Sequence, residues 1–228
     1  MSVSVSDLRS IFLFATFDDA ELKVVCSIVR ARDYSARAIV FAQGEPSPGL
    51  WFIRCGRVRL YRSSDSGREL TLCIARRDKL PCFGGCPLVD GDVSPVTAQA
   101  LEPTTVYFLE RQRALEFAAH SPAMSRLLSR VLANHSHHLA RLSSDLAFRC
   151  SIPRLIDLLL SYAGERGHAT ERGLELDLDV TRELLASVLG ATPQMIAQDF
   201  LKLERAGMVD ARGKHIVLLN PARLAQML

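Results

Sequence analysis

Three regimes of hydrophobic spacing succeed one another along the chain. Residues 7–36 repeat apolar side chains at helical intervals, Leu8, Ile11, Phe12 and Phe14, then Leu22, Val25, Cys26, Ile28 and Val29, which predicts two short helices. From Ile39 the period shortens. The runs AIVFAQ, LWFIRCG, RVRLYRS, ELTLCIAR, VTAQALE and TTVYFLE are broken by Gly, Pro, Ser or Asp, at about 8–12-residue intervals, as in an antiparallel sandwich or barrel. Gly44 and Gly56 fall in these breaks, where turns demand positive φ.

A long helix is predicted from Ser121, an N-cap followed by Pro122 at the first helical position. Met124, Leu128, Val131, His135, His138, Leu142 and Asp145 follow in steps of four and three, flanked by Leu127, Leu132, Leu139 and Leu146. At about 1.5 Å per residue this helix is roughly 40 Å long, more than one small domain needs. A second apolar stripe on such a helix pairs most simply with its own copy, so Leu128, Val131, His135, His138 and Leu142 are the candidate dimer seam. Seam histidines then set register as polar residues. Cys150 to Pro153 is the candidate hinge, after which PRLIDLLLSYAG resumes as helix and LELDLDV alternates as a short strand.

The segment TRELLASVLGATPQMIAQDFLKLERAGMV carries the strongest functional signal. Thr181 is placed to cap a helix made apolar on one face by Leu184, Leu185, Val188 and Leu189. Gly190 ends it, and Thr192 caps a second helix with Pro193 at its first position. Ile196, Phe200 and Leu203 bury that second helix. Two short helices around a Gly-containing turn form a helix-turn-helix, and MVDARGKHIVLL reads as a hairpin wing turning at Arg212-Gly213-Lys214. The second helix then offers Thr192, Gln194, Met195, Gln198 and Lys202 to the major groove of double-stranded DNA. Gln pairs with adenine N6 and N7, Met195 suits a thymine methyl, and Arg182, Lys202, Arg212 and Lys214 suit phosphates.

Composition narrows the picture. Apolar residues make up 48% and charged residues 23%, enough for packed cores, and the formal net charge is +3. From Ser151 onward nine Lys/Arg face ten Asp/Glu, so the DNA-binding half carries little electrostatic attraction and must gather its cations on one face. No Walker loop, dinucleotide GxGxxG, Ser–His–Asp order or cleft pattern of paired carboxylates appears, so an enzyme is not expected. With no export signal or spanning run in view, a cytoplasmic chain with reduced thiols and no membrane association is expected.

The order of β region, long helix and winged motif resembles the cyclic-AMP receptor protein/FNR family of bacterial transcription regulators. FAQGEPSPGLWFIRCGRVRLYR, TAQALEPTTVYFL and TRELLASVLGATPQMIAQDFLKLERAGMVDARGKHIVLLNPARL carry the resemblance, which covers nearly the full length. It implies an α+β chain: an antiparallel β-roll sensor domain resembling a cyclic-nucleotide-binding domain (1–120), a dimerisation helix and hinge (121–150), and a winged helix-turn-helix (151–228). It also implies a homodimer that binds a palindromic site and engages RNA polymerase. A ligand- or haem-binding module acting only through protein contacts is the alternative, motivated by the near-neutral C-terminal half.

The departures from the family bear on the effector. Cyclic-nucleotide members hold ribose with a Glu after Phe-Gly and phosphate with an Arg ten residues later. Here the first place reads Cys82-Phe83-Gly84-Gly85-Cys86 and the second Ser94-Pro95, so cyclic AMP is not expected. Only Cys26 precedes residue 50, against an N-terminal iron–sulfur cluster. LPCFGGCPL is similar to the cysteine-bearing stretch of the family's CO-sensing haem regulator, and SPVTAQALEP to the haem-dependent, nitric-oxide-sensing regulators of nitrate respiration. Haem is thus a candidate cofactor, a Cys82–Cys86 redox pair a second reading, and an unknown small ligand or none a third; the metal, if any, is unassigned. At the family's base-reading Arg-Glu and later Arg stand Pro193, Gln194 and Gln198, which predicts a shifted, more A·T-rich target.

Overall fold

The computed structural model describes residues 3–46, 49–84 and 93–228. Two compact units divide the chain, Met1–Leu139 and Ala140–Leu228. The first opens with α1 (Val5–Arg9), a 3-10 turn (Phe12–Phe14) and α2 (Asp19–Ile28). Ser4 and Asp18 start the two helices with reciprocal capping boxes to Asp7 and Glu21. Eight strands follow: β1 (Val29–Tyr34), β2 (Ile39–Phe41), β3 (Gly49–Cys55), β4 (Arg57–Ser63), β5 (Glu69–Arg76), β6 (Cys82–Gly84), β7 (Thr97–Ala100) and β8 (Thr104–Glu110). Then come α3 (Arg111–His120) and the long α4 (Pro122–Phe148), which crosses the division.

The strands form two antiparallel sheets, ordered β1-β8-β3-β6 and β2-β7-β4-β5. Trp51 packs between Phe41, Phe83 and Phe108, with ring centroids 4.7, 5.9 and 5.0 Å away. A second core joins Leu8, Phe14, Leu22 and Val25 of the N-terminal segment to Phe52, Cys82, Tyr107 and Leu109 of the first sheet. Gly44 and Gly56 adopt the expected positive φ, 85° and 87°. One boundary differs from the periodicity: Val29, which continues the helical pattern, is the first residue of β1. Its strand pairs with β8 over six residues, from Val29↔Leu109 to Tyr34↔Thr104, and that ladder overrides the local pattern.

The second unit contains α5 (Ser151–Arg166), β9 (His168–Thr170), β10 (Gly173–Asp177), α6 (Arg182–Leu189), α7 (Pro193–Arg205), β11 (Val209–Arg212), β12 (His215–Leu218) and α8 (Pro221–Ala225). Its sheet runs β11-β12-β10-β9, so the wing hairpin is extended by the expected strand β10 and by β9, which the spacing did not show. Leu155, Ile156 and Leu159 of α5 share a core with Leu185, Ile196, Phe200, Leu203 and Ile216. Among the described residues no helix is long and apolar enough to cross a membrane.

The expected seam residues divide along the long helix. Ser121 caps it as predicted, its hydroxyl accepting from the Met124 amide at 3.1 Å. Leu128 and Val131, however, are 4% and 6% exposed, buried with Met124 and Leu127 in the chain's own core. His135 Nε2 donates to the Cys82 carbonyl at 3.2 Å and His138 Nε2 to the Leu72 carbonyl at 2.6 Å. Leu128 and Val131 therefore bind α4 to its own core and His135, half-buried, ties it to the sheet, while His138 stays exposed despite its bond and Leu142 is half-buried. The outward stripe lies elsewhere: Ser129, Leu132, Ser136, Leu139 and Ser143 are exposed and Leu146 is half-buried. Four-three spacing fits both stripes, and only packing against the sheets decides between them.

Candidate nucleic-acid interface

Local chemistry builds the motif as the sequence implies. Thr181 caps α6, accepting from the Leu184 amide at 3.2 Å. Gly190 ends it in the left-handed region at φ 60°, where a Cβ is disfavoured. Thr192 caps α7 through the Met195 amide at 3.2 Å, with Pro193 at its first position. Ile196, Phe200 and Leu203 face inward. Buried with them is Asp199, 3% exposed, which the spacing did not single out; its Oδ1 lies 3.8 Å from Lys202 Nζ. Leu184 and Val188, expected on the buried face of α6, are only half-buried, and Ala186 and Ser187 take that place.

Gln194, Met195, Gln198 and Lys202 are all exposed, and Thr192 is half-buried at its capping position. Two residues that the spacing did not mark share the outer face: Ala197, and Leu201, which is 50% exposed. An exposed leucine on an amphipathic helix breaks the apolar pattern, and that was the signal available. On the wing, Gly213 turns the hairpin with φ 67°, and Lys214 is exposed beside it.

The arginines are less free than their sequence positions imply. The Arg182 guanidinium stacks 3.9 Å over the Phe200 ring, and its Nη2 donates to the Gly213 carbonyl at 3.3 Å. Arg182 thus ties the start of α6 to α7 and to the wing turn, rather than standing free for a phosphate. Burial lowers its pKa, an effect that the Glu204 carboxylate opposes. Arg212 Nε donates to Asp210 Oδ1 at 3.2 Å, and Arg172 Nη2 to Asp210 Oδ2 at 2.6 Å. The Arg172 hydrogen bond, foremost, and then that from Arg212 hold the Asp210 carboxyl below its ordinary pKa. Arg172 comes from the β9–β10 turn, and its part in this cluster had no sign in the spacing.

In the sheet unit, Cys82 is fully buried, and burial drives its thiol pKa strongly upward. The Cys73 thiol is pushed up to about 12 by the same cause. Neither is a ready thiolate for metal ligation or redox exchange, and Cys86 lies outside the described residues. His135 and His138 donate Nε2–H to carbonyls, and among the described residues no group of three or more His, Cys, Asp or Glu is gathered that could hold a metal ion. Ser94, at the place of the family's phosphate-binding Arg, is 1% exposed. Its carbonyl accepts from the Gly44 amide at 2.8 Å and its amide donates to the Glu45 carbonyl at 2.7 Å. A buried hydroxyl supplies no positive charge to a cyclic phosphate.

Two family models match in tandem: the cyclic nucleotide-binding domain over residues 31–121 and the Crp-like helix-turn-helix domain over residues 153–227. The chain belongs to the Crp/Fnr family of transcription regulators. Crp/Fnr relatives of similar extent include the CRP-like cAMP-activated global transcriptional regulator of Mycobacterium tuberculosis, 24% identical over 94% of this chain and 95% of that protein. The transcriptional activator protein Anr of Pseudomonas protegens is 24% identical over 88% and 81%. A Crp/Fnr-family regulator from Eubacterium rectale superposes with a TM-score of 0.77 at 19% identity, covering 96% and 98% of the two chains. The regulator CLP of Xanthomonas campestris gives 0.75 at 22% identity, covering 88% and 99%. These two likenesses show the fold.

Proposed function

We propose that this Crp/Fnr-type regulator works as a homodimer that sets its two α7 helices into successive major grooves of an inverted repeat. The observation that supports it best is the outer face of α7, exposed and uncovered by any other element of its unit, with Lys214 of the wing exposed as well. Residues 1–120 sense, 121–150 join the copies, and 151–228 bind DNA. Gln194, Met195 and Gln198 meet base edges. Lys202 and Lys214 meet phosphates, Arg212 joins them by exchanging Asp210 for a phosphate, and Thr181 and Thr192 hold the helix starts in place.

Joining of the copies falls to the outward stripe of α4. Leu132, Leu139 and Leu146 recur every seven residues, interleaved with Ser129, Ser136 and Ser143, a heptad whose small serines let two helices approach closely. RNA polymerase is the downstream partner and the cytoplasm the place of action. The Mycobacterium relative is named as cAMP-activated and CLP as c-di-GMP responsive. Ser94 argues for a different effector here, one that needs no buried cation.

Footprinting of genomic fragments with the full-length protein, beside light scattering of the same sample, tests this reading. A protected inverted repeat bound by a dimer is the expected result. A monomer that protects no repeat with or without added effectors refutes it.

A further inference from the structure

The outer face of α7 has a chemical character that narrows what it reads, given the DNA-binding role proposed above. At about 100° per residue, Gln194, Gln198 and Leu201 fall along the middle of that face, with Met195 and Lys202 on one flank and Ala197 on the other. From Thr192 through Leu201 the sole ionisable residue is Asp199, which is buried at 3% exposure. About the first two and a half turns thus meet the groove with two carboxamides and with apolar groups that solvent already touches, Met195 at 43% and Leu201 at 50% exposure.

Guanine shows two adjacent acceptors, O6 and N7, and calls for a double donor such as arginine. A glutamine carboxamide has one donor group and one acceptor, which matches adenine N6–H and N7. Gln194 and Gln198, four residues apart, sit about 5–6 Å from each other, a separation that spans neighbouring base pairs. Around them the apolar side chains have nothing in the groove to match except the C5 methyl of a pyrimidine.

We propose that α7 reads pyrimidine C5 methyl groups through Met195 and Leu201, next to adenine edges read by Gln194 and Gln198. Its half-site then contains thymines whose methyls, and not only their hydrogen-bonding groups, are required.

The test starts from sites enriched out of random duplex DNA by the full-length protein. Each thymine of the enriched half-site is then replaced by deoxyuridine, which removes the methyl and leaves every hydrogen-bonding group. Loss of a contacted methyl should weaken binding roughly 3- to 5-fold per half-site. That penalty should vanish in Met195→Ala or Leu201→Ala, whichever side chain made the contact. Deoxyuridine tolerated at every position, a penalty unchanged in both variants, or a half-site read mainly as G·C overturns the inference while leaving DNA binding intact. Enrichment of no inverted repeat overturns the DNA-binding reading and this inference together.

Discussion

Replacing Arg182 by alanine separates two roles for this cation, phosphate ligand and internal strut, because the two predict different losses. As a strut, the guanidinium contributes a stack on Phe200 at 3.9 Å and a hydrogen bond of 3.3 Å to the Gly213 carbonyl. A half-exposed cation–π contact is worth about 0.5–1 kcal/mol, and a long charged hydrogen bond about 1 kcal/mol. Their removal should destabilise the C-terminal unit by about 1.5–2 kcal/mol. For a unit of this size, that lowers its unfolding temperature by roughly 6–16 °C. DNA affinity should drop because α7 and the wing lose their common tie, yet the count of phosphate contacts should stay the same.

The assay is a salt titration of operator affinity beside calorimetric unfolding. Each lost phosphate contact reduces the slope of log K against log salt by about 0.9, hence by about 1.8 for a two-fold site. Lys214→Ala should show that reduction with little change in unfolding temperature. Arg182→Ala should show the reverse, a lower unfolding temperature and an unaltered slope. An Arg182→Ala protein that melts like the parent and loses about 1.8 from the slope refutes the strut.

Three further outcomes are expected. Leu139→Arg, on the exposed stripe of α4, should yield folded monomers by light scattering, whereas Leu128→Ala should instead cost about 2–5 kcal/mol of stability as a buried-core truncation; dissociation by the Leu128 variant alone would restore the seam through Leu128 and Val131. Native protein at pH 8 should leave Cys82 unmodified by a thiol reagent while the exposed Cys55 and Cys150 react, as mass spectrometry of digests will show. His135 has its pKa held below the ordinary 6.5, chiefly by burial, against the Cys82 carbonyl's opposing pull. The unfolded chain then binds this proton first, so the stability is complete above about pH 6.5 and is lost as pH falls toward the folded value. His135→Gln should flatten that part of the profile in urea melts, and an unchanged profile would exclude His135 as its source.

Chain periodicity alone determined much of this protein. Strands between Ile39 and Glu110, the helix beginning at Ser121-Pro122, the caps Thr181 and Thr192 and the turn glycines Gly190 and Gly213 all follow from rules acting within a few residues, and each is legible in the order of the residues. What lay beyond reach depends on contacts between distant segments. Val29 leaves the helical pattern because β8, eighty residues on, supplies its hydrogen bonds. Leu128 and Val131 look inward and the half-buried His135 bonds to a strand because the chain's own core reaches them before any second copy does, and the same spacing describes an equally regular outward stripe one face away. Arg182 and Arg212 read as free cations until Phe200, Gly213 and Asp210 are brought beside them. Local hydrogen bonding fixes where the capped helices and glycine turns begin and end; only packing and pairing in three dimensions decide where a helix yields to a strand, which of two similar faces is buried and which charge already has a partner.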